Sequence, residues 1–141
     1  MGIKGHRCGA ATGGLREGAS GGGTRIRWTG FSADALALAR ELVPELPRGI
    51  IVTRLPAEDP QPEGLEAMLE RTGSCVFHCG WEGLTREVVQ AQQAAGRPVH
   101  GWPCRSAEDM ARALELGVDG TTVDDPRAAF GWYEQARAAR V

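Results

Sequence analysis

The side chains best placed to do chemistry in this chain stand at the ends of short apolar runs. Asp124 and Asp125 follow the β-branched run Val118–Val123 and precede Pro126. In parallel α/β proteins the carboxyl ends of strands line the ligand site. Asp124 is therefore a substrate-contact candidate, with capping of the next helix as its structural alternative; Asp125 reads as a surface acid. Trp102 closes the run from Pro98 and offers a flat apolar face, with ordinary core packing as its alternative. His78 closes Cys75-Val76-Phe77-His78 near Trp81, where an imidazole could touch phosphate or move a proton. His100, one pleat before Trp102, reads as packing. Asp119, in Gly-Val-Asp-Gly, reads as a turn residue bonding locally. Gly5-His6-Arg7 has too little chain before it to end a strand, and Cys8 follows; it reads as functionless. Cys8, Cys75, Cys79 and Cys104 lack the C-x-x-C pairs of a zinc site. They read as reduced thiols of a cytoplasmic protein. No group of residues reads as a complete catalytic or metal-binding set.

The elements that must position these residues follow from periodicity. Residues 1–23 are Gly-rich and nearly free of apolar side chains. They cannot offset their ordering entropy, which predicts a disordered leader. From residue 24 to 141 the texture is globular. Ile26, Trp28 and Phe31 alternate with polar residues as a strand does. Ser32 can cap a helix with apolar residues Leu36, Leu38, Ala39, Leu42 and Val43, stopped by Pro44 and Pro47. Gly49–Thr53 is a second strand of buried character. A proline-rich loop with Glu58 and Asp59 leads to a short helix at Leu65–Leu69. Cys75–His78 is a third strand, and Thr85 caps the next helix. Pro98–Trp102 is a fourth strand, with its proline at the first position. Ser106 with Asp109 forms a variant capping box. Gly117 suits a left-handed helix end, Val118–Val123 is a fifth strand, and Pro126 opens the last helix. Strand and helix alternate five times, which predicts parallel strands with right-handed crossovers. Five units are too few to close an eightfold barrel alone, so this is a small open sheet or part of a larger barrel.

Composition narrows the class. Of 141 residues, 42% are hydrophobic and 24% charged, as in globular domains. A net charge of -2 gives no polyanion-binding signature, so nucleic acid is not an expected partner. No apolar run approaches the ~20 residues of a membrane span.

Several segments, in order, carry a family resemblance. They are Leu84-Thr85-Arg86-Glu87-Val88-Val89, Ala94-Ala95-Gly96-Arg97-Pro98-Val99-His100-Gly101-Trp102, Glu108-Asp109-Met110, Leu116-Gly117-Val118-Asp119-Gly120 and Asp124-Asp125-Pro126. Upstream, Phe31-Ser32 and Pro44-Glu45-Leu46-Pro47 add to them. Together these resemble the C-terminal half of a glycerophosphodiester phosphodiesterase, from Thr24 to about Ala129. The resemblance implies an α/β fold, a partial TIM barrel of about five parallel strand–helix units. It implies hydrolysis of a glycerophosphodiester to glycerol 3-phosphate and an alcohol, with a divalent metal (Mg or Ca) on the phosphate. Trp102 would pack on the glycerol or alcohol part, with Asp124 and His78 beside it. The family's metal ligands and catalytic histidines lie on earlier strands: His-Arg-Gly, Glu-Asn-Thr, Glu-x-Asp and Glu-x-Lys segments that this chain does not show. Trp102-Pro103-Cys104 also replaces Trp-Thr-Val-Asn. The expectation is a fragment with the substrate side of the site, holding no metal itself and prone to self-association through its open sheet. The alternative is a non-catalytic α/β binding or interaction module.

Overall fold

The computed structural model describes residues 26–56 and 64–140. The leader, with His6, Arg7 and Cys8, and the acids Glu58 and Asp59 lie outside the described residues. Five strands alternate with five helices: β1 (Trp28–Gly30), α1 (Ala33–Leu42), β2 (Arg48–Val52), α2 (Leu65–Thr72), β3 (Val76–Gly80), α3 (Arg86–Ala94), β4 (Val99–Cys104), α4 (Ala107–Leu116), β5 (Gly120–Val123) and α5 (Pro126–Ala138). The sheet order is β1-β2-β3-β4-β5 and every pairing is parallel. This is an arc of a TIM-type barrel, with the helices outside.

The strands form because each is bounded by a helix stop and a helix start that the sequence specifies. Ser32, Thr85 and Ser106 accept bonds from the backbone N–H groups of Ala35, Val88 and Asp109. Gly73 and Gly117 end α2 and α4 in the left-handed region. The capping box at α4 is shifted: the Asp109 carboxylate accepts from Arg105 N–H, one residue before the cap.

Alternation divides the sheet into two faces. The outer one, under the helices, holds Ile50, Val52, Phe77, Cys79 and Val99, all buried. Leu36, Met68, Leu69 and Val89 come down on it from the helices. At about 1.5–3 kcal/mol per buried large apolar side chain, this layer is the main source of stability. Gly101 is on that face because Trp81 fills its side-chain space; an added Cβ would lie 2.1 Å from the indole.

Arg48 is also buried on the outer face, at the amino end of β2. Its guanidinium donates to the carbonyls of Thr72 (3.0 Å), Leu46 (2.7 Å) and Val43 (3.3 Å). These sit at the C-terminal ends of α2 and α1, where orphan carbonyls favour a cation.

Candidate functional site at the inner sheet face

The inner face carries the side chains singled out from sequence. Register aligns Ile51, His78, His100 and Gly120 in one row across four strands. Parallel register partners point the same way, so these line the concave side. Trp102 stands two residues further toward the carboxyl end, paired with Gly80.

His78 is not at a strand end. β3 runs on to Gly80, which places His78 mid-strand. Its ring meets His100 edge to face, with centroids 4.9 Å apart. Gly120 accommodates the second ring: a Cβ there would come within 3.1 Å of His100 Nε2. Burial, with smaller contributions from His100 and Arg27, pushes the His78 pKa down to about 4. Burial, with Arg27 next, also lowers His100. Both rings are therefore neutral near pH 7. His78 Nε2 and Trp102 Nε1 are buried with no hydrogen-bond partner. Two such atoms on one face are the kind of exception that marks a ligand surface.

Trp102 meets Phe31 edge to face at 5.9 Å. Phe31 follows β1 and Trp102 lies in β4, so this contact crosses the concavity rather than running along the sheet. Asp124, just past β5, lies at the same carboxyl end as Trp102. It is exposed and pairs with Arg105 at 3.3 Å. Such a pair contributes little.

Two further sequence readings are corrected here. The cap of α5 is Asp125, not Asp124: Asp125 accepts from the N–H groups of Arg127 and Ala128. Asp124 sits in the bend between β5 and that cap, exposed. Asp119 bonds at long range rather than locally, accepting from Val99 N–H (2.8 Å) and Gln93 Nε2 (3.0 Å). It thereby fixes the entry of β4 against that of β5. His100, read as packing, does pack, against the ring of His78. Phe31, Arg27 and Arg105 went unnoticed because only tertiary structure brings them near.

The metal expected from the resemblance does not fit these residues. Among the described residues no three His, Cys, Asp or Glu side chains lie together as a cation would require. Asp124 faces Arg105 and Asp125 is engaged as a cap. Cys75, Cys79 and Cys104 are buried free thiols. Burial pushes Cys79 up to about 12, which removes it as a thiolate ligand or nucleophile.

Comparison with known proteins places this arrangement. The model of the glycerophosphoryl diester phosphodiesterase family matches residues 12–128. The chain belongs to this family. Among solved structures, one from Silicibacter pomeroyi DSS-3, assigned as a glycerophosphoryl diester phosphodiesterase, superposes with a TM-score of 0.67 at 23% identity, over 82% of this chain and 38% of its own. A phosphodiesterase from Oleispira antarctica, solved with the product sn-glycerol-3-phosphate, gives 0.61 at 22% identity, over 78% and 40%. A Galdieria sulphuraria protein assigned to the glycerophosphodiester phosphodiesterases gives 0.66 at 22%, over 78% and 44%. At these identities the structures speak for the fold. This chain spans well under half the length of these phosphodiesterases. No curated protein matches it. No helix among the described residues is long and apolar enough to cross a membrane.

Proposed function

We propose that this chain carries the substrate side of a glycerophosphodiester phosphodiesterase site and takes up the glycerol phosphate portion of the diester. One observation carries the reading: His78 Nε2 and Trp102 Nε1, both buried and unpartnered, share the inner face. The Trp102 N–H would donate to a hydroxyl or phosphate oxygen, and its ring face would pack on the glycerol carbons. His78, neutral near pH 7, would bond the same ligand without adding charge. Asp124 would accept from a substrate hydroxyl once released from Arg105. The reaction class is hydrolysis: water adds at phosphorus and the alcohol leaves. A divalent cation, Mg²⁺ or Ca²⁺, would neutralise the phosphate oxygens in the complete enzyme. Since the described residues do not hold it, its ligands would come from further barrel units. Without these the chain acts as a binding module, and its open sheet would favour self-association. The three buried thiols support a reducing, cytoplasmic setting.

Calorimetric titration with sn-glycerol 3-phosphate tests the reading, alongside a coupled assay of glycerol 3-phosphate release from glycerophosphocholine. Saturable binding that Trp102→Ala abolishes is expected, with no turnover above buffer in Mg²⁺ or Ca²⁺. Binding unaffected by Trp102→Ala and by His78→Phe would place the ligand elsewhere. Metal-dependent turnover would show that the chain completes the metal side itself.

A further inference from the structure

The large exposed apolar side chains are not spread over this molecule. Ile26, Trp28, Phe31, Leu38 and Leu42 belong to the first strand–helix unit and Phe130 to the last. The three units between them expose none among the described residues. Direction sharpens the pattern. At 3.6 residues per turn, α1 buries Ala33, Leu36 and Ala39 against the sheet. On one flank Arg40 bonds the carbonyls of Glu70 and Arg71, which is the side of α2. Ala35 and Leu42 fall on the opposite flank, facing back along the array, while Leu38, one turn from the Asp34 that pairs with Arg71 of α2, faces outward. In α5, Ala129 faces the sheet, and the half-buried Ala128 and Trp132 lie on the side of α4. Phe130 falls on the other flank, facing forward. Trp28 shares the outer sheet face with its register partner Arg48, but no preceding helix covers it among the described residues. It is 50% exposed, Leu42 71% and Phe130 65%, far too much for side chains of this size at a finished end.

The charges at the two ends also differ. Glu45 stands just past the C-terminal end of α1; Arg137, seven residues from Phe130 and so on the same flank, stands at the C-terminal end of α5. Helices in such an array run parallel to one another, so an α5 placed beside an α1 brings Arg137 to Glu45. Two α1 ends would instead set acid against acid.

We infer that a second copy of this chain docks head to tail, with the α5 flank of one protomer covering β1 and the α1 flank of the next. Phe130 would pack against Leu42 and Trp28 of the neighbour, and β5 would pair in parallel with its β1. The contact is heterologous, so both ends of each copy are usable. It rests on the half-barrel geometry and is independent of what the inner face binds.

Sedimentation velocity on the full chain tests it. The unsubstituted protein is expected to sediment as dimers or larger species with increasing concentration. Phe130→Glu and Leu42→Glu should each be monomeric with unchanged circular dichroism. Mixed in equal amounts, they should form a dimer and nothing larger, because each retains one intact end. A monomeric parent protein at all concentrations would overturn the proposal, and would indicate that other barrel units cover these ends. Single variants that still assemble, or a mixture that stays monomeric, would overturn it too. If Leu42→Glu loses its fold, Ala35→Glu serves at the same flank.

Discussion

The two faces of the sheet are made by the same strands yet obey different rules. On the outer face Ile50, Val52, Phe77, Cys79 and Val99 are buried and purely apolar. On the inner face the same strands present Ile51, His78, His100 and Trp102, mostly half-buried, with glycines between them. The outer face is closed by helices that this chain supplies. The inner face is closed in a full barrel by strands opposite, so here it is a concave surface with unmet hydrogen-bonding capacity. Stability comes mainly from the first face; the second is the one we propose for recognition.

The largest expected effect tests the first half of that contrast. Phe77→Ala should cost about 3–5 kcal/mol in urea denaturation, through lost burial and the cavity left behind. His78→Ala, its immediate neighbour on the other face, should cost clearly less. Equal losses would mean that the inner face is as much a core as the outer.

A smaller effect distinguishes the faces by pH. The folded protein holds His78 near 4 against an ordinary value of 6.5. The unfolded chain thus binds the proton more readily, and stability falls as pH drops from about 6.5 toward 4. The His100 shift acts in the same direction. Partial exposure of both rings limits the size of the loss. Thermal melts across that range should show it, and His78→Phe should flatten the dependence. An unchanged slope in that variant would remove His78 from the account.

The smallest effects concern the two acids after β5, of which one caps α5 and the other pairs with an exposed arginine. Asp125→Ala should cost about 1 kcal/mol as a lost helix cap. Asp124→Ala should leave stability nearly unchanged, because its exposed ion pair contributes little. A reversed ranking in equilibrium unfolding would contradict the cap assignment.

Much of the outer face was legible in the sequence, because its signals are local. Ser32, Thr85, Ser106 and Gly117 each announce a helix boundary through their own chemistry, and each does so in the structure. The order of five parallel strands follows from alternation alone. Strand limits were less legible: Val118 is β-branched and suits a strand, yet β5 starts at Gly120. The inner face was legible only in part. Trp102, His78 and Asp124 stand out by type and position, but their relations depend on register. The meeting of His78 with His100, of Trp102 with Phe31 and of Asp119 with Val99 joins residues 20 or more positions apart. No local pattern encodes such pairings. Asp124 and Asp125 exchanged roles because a one-residue step decides which acid reaches the helix N–H groups.

Arg48 has a consequence for how this chain tolerates change. Its acceptors at Thr72, Leu46 and Val43 are all main-chain carbonyls. A buried ion pair can be broken from either side, since a change at the acid strands the base. Here no neighbouring side chain carries the other half of the interaction. Residues 43 and 46 can drift in identity while their carbonyls stay where the backbone puts them; Thr72 is held separately, by a buried hydroxyl bonded to Met68 O and Ser74 Oγ. At the amino end of the barrel mutational sensitivity is thus gathered on Arg48 and the Thr72–Gly73 turn, and the end of α1 is the part left free to vary.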